Sequence, residues 1–236
     1  MKTTDANSAS GRPQPAVLTD FDDTAAAQNV AELLLNRFGN LDWTVVRQRF
    51  RDGHINLKEY QEITFRNIQA DRATMQSYVK EHANLRPYFR EMWGFCQAND
   101  IPMAVVSQGL DFYIQALLER EGLGRVPIYA VDTEFQDGEI FYHYNHAYPG
   151  KESEGNSKGF VVRSFQERGC HVFFAGDGRS DLEAARVADV VFAHSTLAKF
   201  CDEEGIAYNH FEDFSGMLVS VQRFSNDGHG SDGVAR

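Results

Sequence analysis

Residues 16–24 read Ala-Val-Leu-Thr-Asp-Phe-Asp-Asp-Thr. An apolar run without polar alternation suits a parallel strand covered on both faces. This one, Ala16–Asp20, ends in a carboxylate and has a second carboxylate, Asp22, two residues on. The design returns downstream. Met103–Ser107 runs into Ser107-Gln108-Gly109, and Val172–Gly176 runs into Asp177-Gly178-Arg179-Ser180-Asp181. Ile128–Glu134 and Val190–Ala193 are further apolar runs. Helical patterns lie between them at Tyr88–Ala98, Phe112–Glu121, Lys158–Arg168 and Arg179–Ala188, and Gly122 and Gly169 are placed to stop two of these. The alternation predicts an α/β fold, an open doubly wound parallel sheet, whose ligands gather at the carboxyl ends of the strands.

One stretch departs from it. Residues 26–85 carry helical patterns, among them Val30–Arg37, Val45–Phe50 and Leu57–Asn67, with no strand signal. They are expected to form a small helical cap inserted after the first strand. The catalytic core is then 15–25 and 86–224. Residues 1–14 and 225–236, rich in small and polar residues, are expected to be a flexible leader and tail. Phe135–Tyr148 carries Asp137-Gly138 between aromatic-rich arms, the pattern of a hairpin.

The whole chain narrows the function. A formal charge of −11 over 236 residues disfavours nucleic acid as a partner. No apolar run reaches the roughly 20 residues that span a bilayer, and the first 15 residues hold no signal-peptide core. A cytoplasmic location without a membrane partner is the expectation. Cys96, Cys170 and Cys201 are odd in number, far apart and outside any CxxC pair, which fits free thiols rather than a zinc site or disulfides. Nothing in the sequence fixes the oligomeric state.

The polar residues at the strand ends carry the chemistry. Each has an ordinary reading: an Asp-x-Asp turn, a serine cap at Ser107, a solvated lysine at Lys158, and first-turn acids at Asp177 and Asp181. Four such features in one order at successive strand ends favour a joint, functional reading. A phosphomonoester is a dianion, so a carboxylate can approach it only when that charge is neutralised. A hard divalent cation on oxygen ligands, Mg2+, does so. The metal set is Asp20, Asp22 (through its main-chain carbonyl), Asp177 and Asp181. Catalysis falls to Asp20 as nucleophile, Asp22 as acid and base, Ser107 and Lys158. Ser107, Gln108, Gly109 and Lys158 hold the substrate, a small phosphorylated metabolite.

These motifs, Asp20–Thr24, Val105–Gly109, Lys158 within Gly155–Gly159, and Gly176–Asp181, resemble those of the haloacid dehalogenase-like superfamily and its phosphatase branch. The likeness covers about 16–224. It implies a Rossmann-like core, a mobile cap, and a magnesium-dependent phosphatase working through an aspartyl-phosphate. The position of the cap is that of the phosphoserine phosphatase-like subgroup. Ser107–Tyr113 is similar to a stretch in a methionine-salvage phosphatase branch, although Pro149–Gly155 replaces the cysteine-rich run found there. Phosphoserine phosphatases carry a glutamate shortly after the first motif. Asn29 stands at that place here, and an uncharged side chain does not pair with a substrate amine as a carboxylate does. Gln28, Asn29, Arg47, Arg49 and Arg66 are candidate cap contacts to substrate. The alternatives are a phosphotransferase on the same fold and a non-catalytic phosphometabolite-binding protein.

Overall fold

The computed structural model describes residues 13–66 and 68–226. Most of the expected leader and tail, and Asn67, lie outside those residues. The elements in chain order are β1 (Gln14–Thr19), α1 (Val30–Phe38), α2 (Trp43–Arg51), α3 (Leu57–Arg66), α4 (Arg72–His82), α5 (Phe89–Ala98), β2 (Met103–Leu110) and α6 (Asp111–Arg120). They continue as β3 (Ile128–Gln136), β4 (Glu139–His143), α7 (Lys158–Gln166), β5 (Cys170–Gly176), α8 (Leu182–Ala185), β6 (Val190–Ala193), α9 (Ser195–Glu204), β7 (Asn209–His210) and α10 (Phe214–Asn226).

The strands form one sheet in the order β4-β3-β2-β1-β5-β6-β7. All neighbours are parallel except β3 and β4, which are antiparallel. This is the Rossmann-like α/β fold expected. β1 shows why its residues had to be apolar throughout. Val17 packs into a cluster with Phe89, Met92 and Leu117 on one face, while Ala16 and Leu18 pack with Val161, Val162 and Phe165 on the other. With helices on both sides, period two loses its polar half. The β3–β4 hairpin turns through Asp137 at φ 52° and Gly138 at φ 83°, the left-handed pair that a tight turn between twisted strands demands.

Register aligns the strand ends. Thr19 pairs with Val105 of β2 and with Ala175 of β5. Asp20 therefore leaves the sheet beside Val106 and Gly176, just where the other two motif loops begin.

Four helices, α1–α4, fill residues 26–85. Their entry and exit lie together: Ala27 N donates to Asn84 O at 2.8 Å and Arg86 N to Ala25 O at 2.8 Å. Leu34, Phe65, Met75 and Val79 from these helices share one buried cluster with Leu117 and Tyr113 of α6. The helix expected over Arg179–Ala188 is shorter. A 3-10 turn at Arg179–Asp181 precedes α8, because the Asp181 carboxylate folds back onto Asp177 N at 3.0 Å and Gly178 N at 2.9 Å.

Candidate active site

Asp20 follows β1 directly and is 5% exposed. Beyond it the chain makes one wide turn, in which Ala25 N donates to Asp20 O at 3.2 Å and Ala26 N to Phe21 O at 2.8 Å. Asp23 sits inside that turn at φ 60°, a conformation that non-glycine residues rarely adopt. Arg86 holds it there. Its guanidinium donates to Thr24 O at 2.8 Å, Asp23 O at 2.5 Å and Glu212 O at 3.0 Å.

Lys158 opens α7 behind a Ser157 cap and is 2% exposed. Its Nζ lies 2.5 Å from Asp20 Oδ1 and 2.5 Å from Asp181 Oδ1. Burial works against its charge, but the two carboxylates outweigh burial and hold its pKa above the ordinary lysine value. Thr24 Oγ1 stands 3.4 Å from both Asp20 Oδ2 and Asp177 Oδ1. Carboxylate oxygens of Asp20, Asp177 and Asp181 all lie within 4.8 Å of one another. Burial first, then repulsion from Asp181, raises Asp20 well above the usual carboxylate range. The same causes push Asp177 up to about 7. Three carboxylates against one ammonium leave a deficit of positive charge, and all the donors are hard oxygens. That set fits a magnesium ion.

The Asp22 side chain is not part of this cluster. Its Oδ1 accepts from Val30 N at 2.7 Å and Ala31 N at 3.3 Å, at the start of α1, and its Oδ2 accepts from the Tyr113 hydroxyl at 2.8 Å. Burial pushes its pKa up to about 6 against the pull of these donors. A carboxyl group near that value can give and take a proton close to neutrality.

Ser107 is buried and its Oγ accepts from Gly109 N at 2.9 Å. Gln108 Nε2 donates to Asn156 O at 3.0 Å, tying the Ser107–Gly109 loop to the residues that precede Lys158. Gln61 of α3 donates to Gln108 O. The structure thus gathers all eight candidate residues at the carboxyl edge of the sheet, with the Asp22 carboxylate on its own side. Among the cap candidates, Asn29 caps α1 by accepting from Glu32 N at 2.8 Å, and Gln28 Nε2 donates to His82 O at 2.8 Å. Arg47 pairs with Glu32 at 2.5 Å, Arg66 with Glu62 at 3.7 Å, and Arg49 is exposed. Gln61 and Arg86 join the site without having been singled out in the sequence, as do Thr24 and Tyr113, which stood in the motifs without a role of their own.

Comparison with known proteins follows the same lines. The family model for haloacid dehalogenase-like hydrolases matches residues 17–186. The chain belongs to that family. It is 26% identical over 213 residues to the 2-hydroxy-3-keto-5-methylthiopentenyl-1-phosphate phosphatase of Bacillus pumilus, covering 89% of this chain and 92% of that one. It is also 26% identical, over 90% of its length and 96% of the other's, to Pdp3-interacting factor 1 of Schizosaccharomyces pombe. A solved phospho-aspartyl intermediate analogue of phosphoserine phosphatase shares the fold, with TM-score 0.66 at 15% identity over 89% of this chain and 99% of that one. Among the described residues, no helix of this family member is long and apolar enough to cross a membrane.

Proposed function

We propose that the chain is a magnesium-dependent phosphatase that hydrolyses a small phosphorylated metabolite through an aspartyl-phosphate on Asp20. One observation carries the reading: a fully buried lysine bridging Asp20 and Asp181, inside a set of three carboxylates at the sheet's carboxyl edge. So much buried charge is costly and serves a reaction that needs it.

Asp20, Asp177, Asp181 and the Asp22 main-chain carbonyl would hold the ion, which supplies positive charge against the phosphate dianion. In the first step an Asp20 oxygen attacks phosphorus in line and the bond to the ester oxygen breaks. Asp22 gives its proton to the departing alcohol. In the second step Asp22 takes a proton from water, and the resulting oxygen attacks phosphorus and releases Asp20. Lys158 holds the Asp20 carboxylate in its attacking orientation. The Ser107 hydroxyl and the main-chain N–H groups around Gly109 cradle the phosphate oxygens. The helices of 26–85 act as a cap over a core of 15–25 and 86–224, closing out water during transfer. The likeness to the 2-hydroxy-3-keto-5-methylthiopentenyl-1-phosphate phosphatase of Bacillus pumilus favours a methionine-salvage-type phosphate ester as substrate. A cytoplasmic setting suits such a metabolite.

The test is phosphate release from a panel of phosphomonoesters, with magnesium and with excess chelator, for wild type and Asp20→Asn. Magnesium-dependent release lost by about a thousandfold or more in the variant is the expected result. Transfer to added alcohols in place of release would make the enzyme a phosphotransferase. Undiminished release in Asp20→Asn would remove the nucleophile assignment.

A further inference from the structure

Asp22 is held at both oxygens, and the two holds differ. Two main-chain amides, Val30 N and Ala31 N, converge on Oδ1. A carboxyl oxygen that accepts two N–H donors is a poor place for a proton. Among the described residues, Oδ2 has one hydrogen-bond partner, the Tyr113 hydroxyl at 2.8 Å. Oδ2 is therefore the oxygen with room to meet a leaving alcohol, and the tyrosine decides which way that oxygen faces.

The surroundings of Tyr113 aim its hydroxyl at this oxygen, with the Leu110 main chain also hydrogen-bonded to it. The side chain is fully buried, with Phe21, Phe65 and Phe112 around its ring at centroid distances of 6.1, 6.4 and 5.5 Å. Phenylalanine would fill that apolar shell equally well. The hydroxyl reaches Asp22 through a gap at Gly109, where a Cβ would collide with the tyrosine oxygen and lie 3.1 Å from Asp22 Oδ2. Gly109 belongs to the loop read as the phosphate cradle. The same glycine thus admits both the phosphate and the tyrosine.

We infer that Tyr113 is a positioning residue for the acid: its hydroxyl, reaching through the gap at Gly109, fixes the Asp22 oxygen that protonates the leaving alcohol. This rests on the reading of Asp22 as acid. Its consequence is selective. An alcohol that leaves poorly needs the proton delivered, whereas a stabilised phenolate does not. Loss of the hydroxyl should harm the first kind of ester and spare the second. A tyrosine that merely packs would affect both alike.

The experiment compares kcat/KM for p-nitrophenyl, phenyl and ethyl phosphate, in order of rising leaving-group basicity, for wild type, Tyr113→Phe and Asp22→Asn. Melting temperatures check that each variant is folded. Tyr113→Phe should keep p-nitrophenyl phosphate within about twofold and lose about tenfold or more on ethyl phosphate, the value of one hydrogen bond to a charged group. Asp22→Asn should steepen the dependence further. If Asp22→Asn steepens it and Tyr113→Phe runs parallel to wild type, the role of Tyr113 is overturned while the acid stands. If Asp22→Asn leaves the slope unchanged, the acid assignment falls, and the role of Tyr113 falls with it.

Discussion

Asp20 and Asp22 are two residues apart, yet they live in opposite surroundings. Asp20 faces charges: Lys158 at 2.5 Å, with Asp177 and Asp181 crowded beside it. Asp22 faces dipoles: two amides and a phenol, with no cation within salt-bridge distance among the described residues. The partners of Asp20 come from the sheet edge and α7, whereas the amides that hold Asp22 come from α1 of the inserted helices. A carboxylate balanced by ions stays available as a nucleophile. A carboxylate held by neutral donors in a dry site can exchange a proton near neutrality. One short turn places the two kinds side by side.

The ionic half is the easier to break. Lys158→Met would leave Asp20 and Asp181 buried against each other with no counter-charge. Losing one partner of such a set costs about 3–5 kcal/mol, so a large fall in melting temperature is expected by calorimetry. An unchanged melting temperature would mean the pair contributes nothing to the fold.

Metal removal is the next effect in size. Burial and then Asp181 raise Asp20, and push Asp177 to about 7 from an ordinary 3.8. The unfolded chain gives up these protons first, so the cation-free fold loses stability as pH rises from about 4 to about 7. Above that range the part owed to Asp177 is lost. A bound cation offsets it, and at a hundred times its dissociation constant adds about 2.7 kcal/mol. Magnesium should therefore raise the melting temperature more at about pH 8 than at about pH 5. Equal increments at the two pH values would detach the cation from these carboxylates.

The smallest effect sharpens the dipolar half. Asn29 caps the helix whose first amides hold Asp22, and Asn29→Ala should cost about 1 kcal/mol of stability by denaturant unfolding. Its effect on turnover should follow leaving-group basicity. A uniform effect on all esters would separate α1 from the acid.

Most of the sheet was legible because its strands are buried on both faces and read as plain apolar runs. β7 was not, since Asn209 and His210 are both exposed and give no apolar signal. Neither was α4 as a separate helix. Its buried apolar residues are only Met75 and Val79, and the Asp71 cap that accepts from Thr74 N at 2.7 Å looks like any loop acid in sequence. In the site, groups that act through side chains at strand ends were readable. Arg86 was not, because its partners are main-chain carbonyls, which leave no residue signature. Tyr113 stood in a quoted motif, yet its role depends on the space beside Gly109, and only a fold reveals that space. The inserted helices share one apolar cluster with α6, a continuity that a change of pattern at residues 26–85 could not disclose.

The position of β1 has a consequence for how the molecule is made. Among the described residues it is the first strand in chain order and the middle one of the sheet, with Val17 beside Met103 and Gln14 beside Cys170. On the ribosome this apolar segment waits for one neighbour until some ninety residues have followed, and for the other until Asp177 is about to emerge. Both its edges are open until β2 appears and one stays open until β5 does, which makes it a natural client for a chaperone. Asp20 is thus translated early and joined by its partners late, so a nascent chain carries Asp20 before Lys158, Asp177 and Asp181 exist beside it.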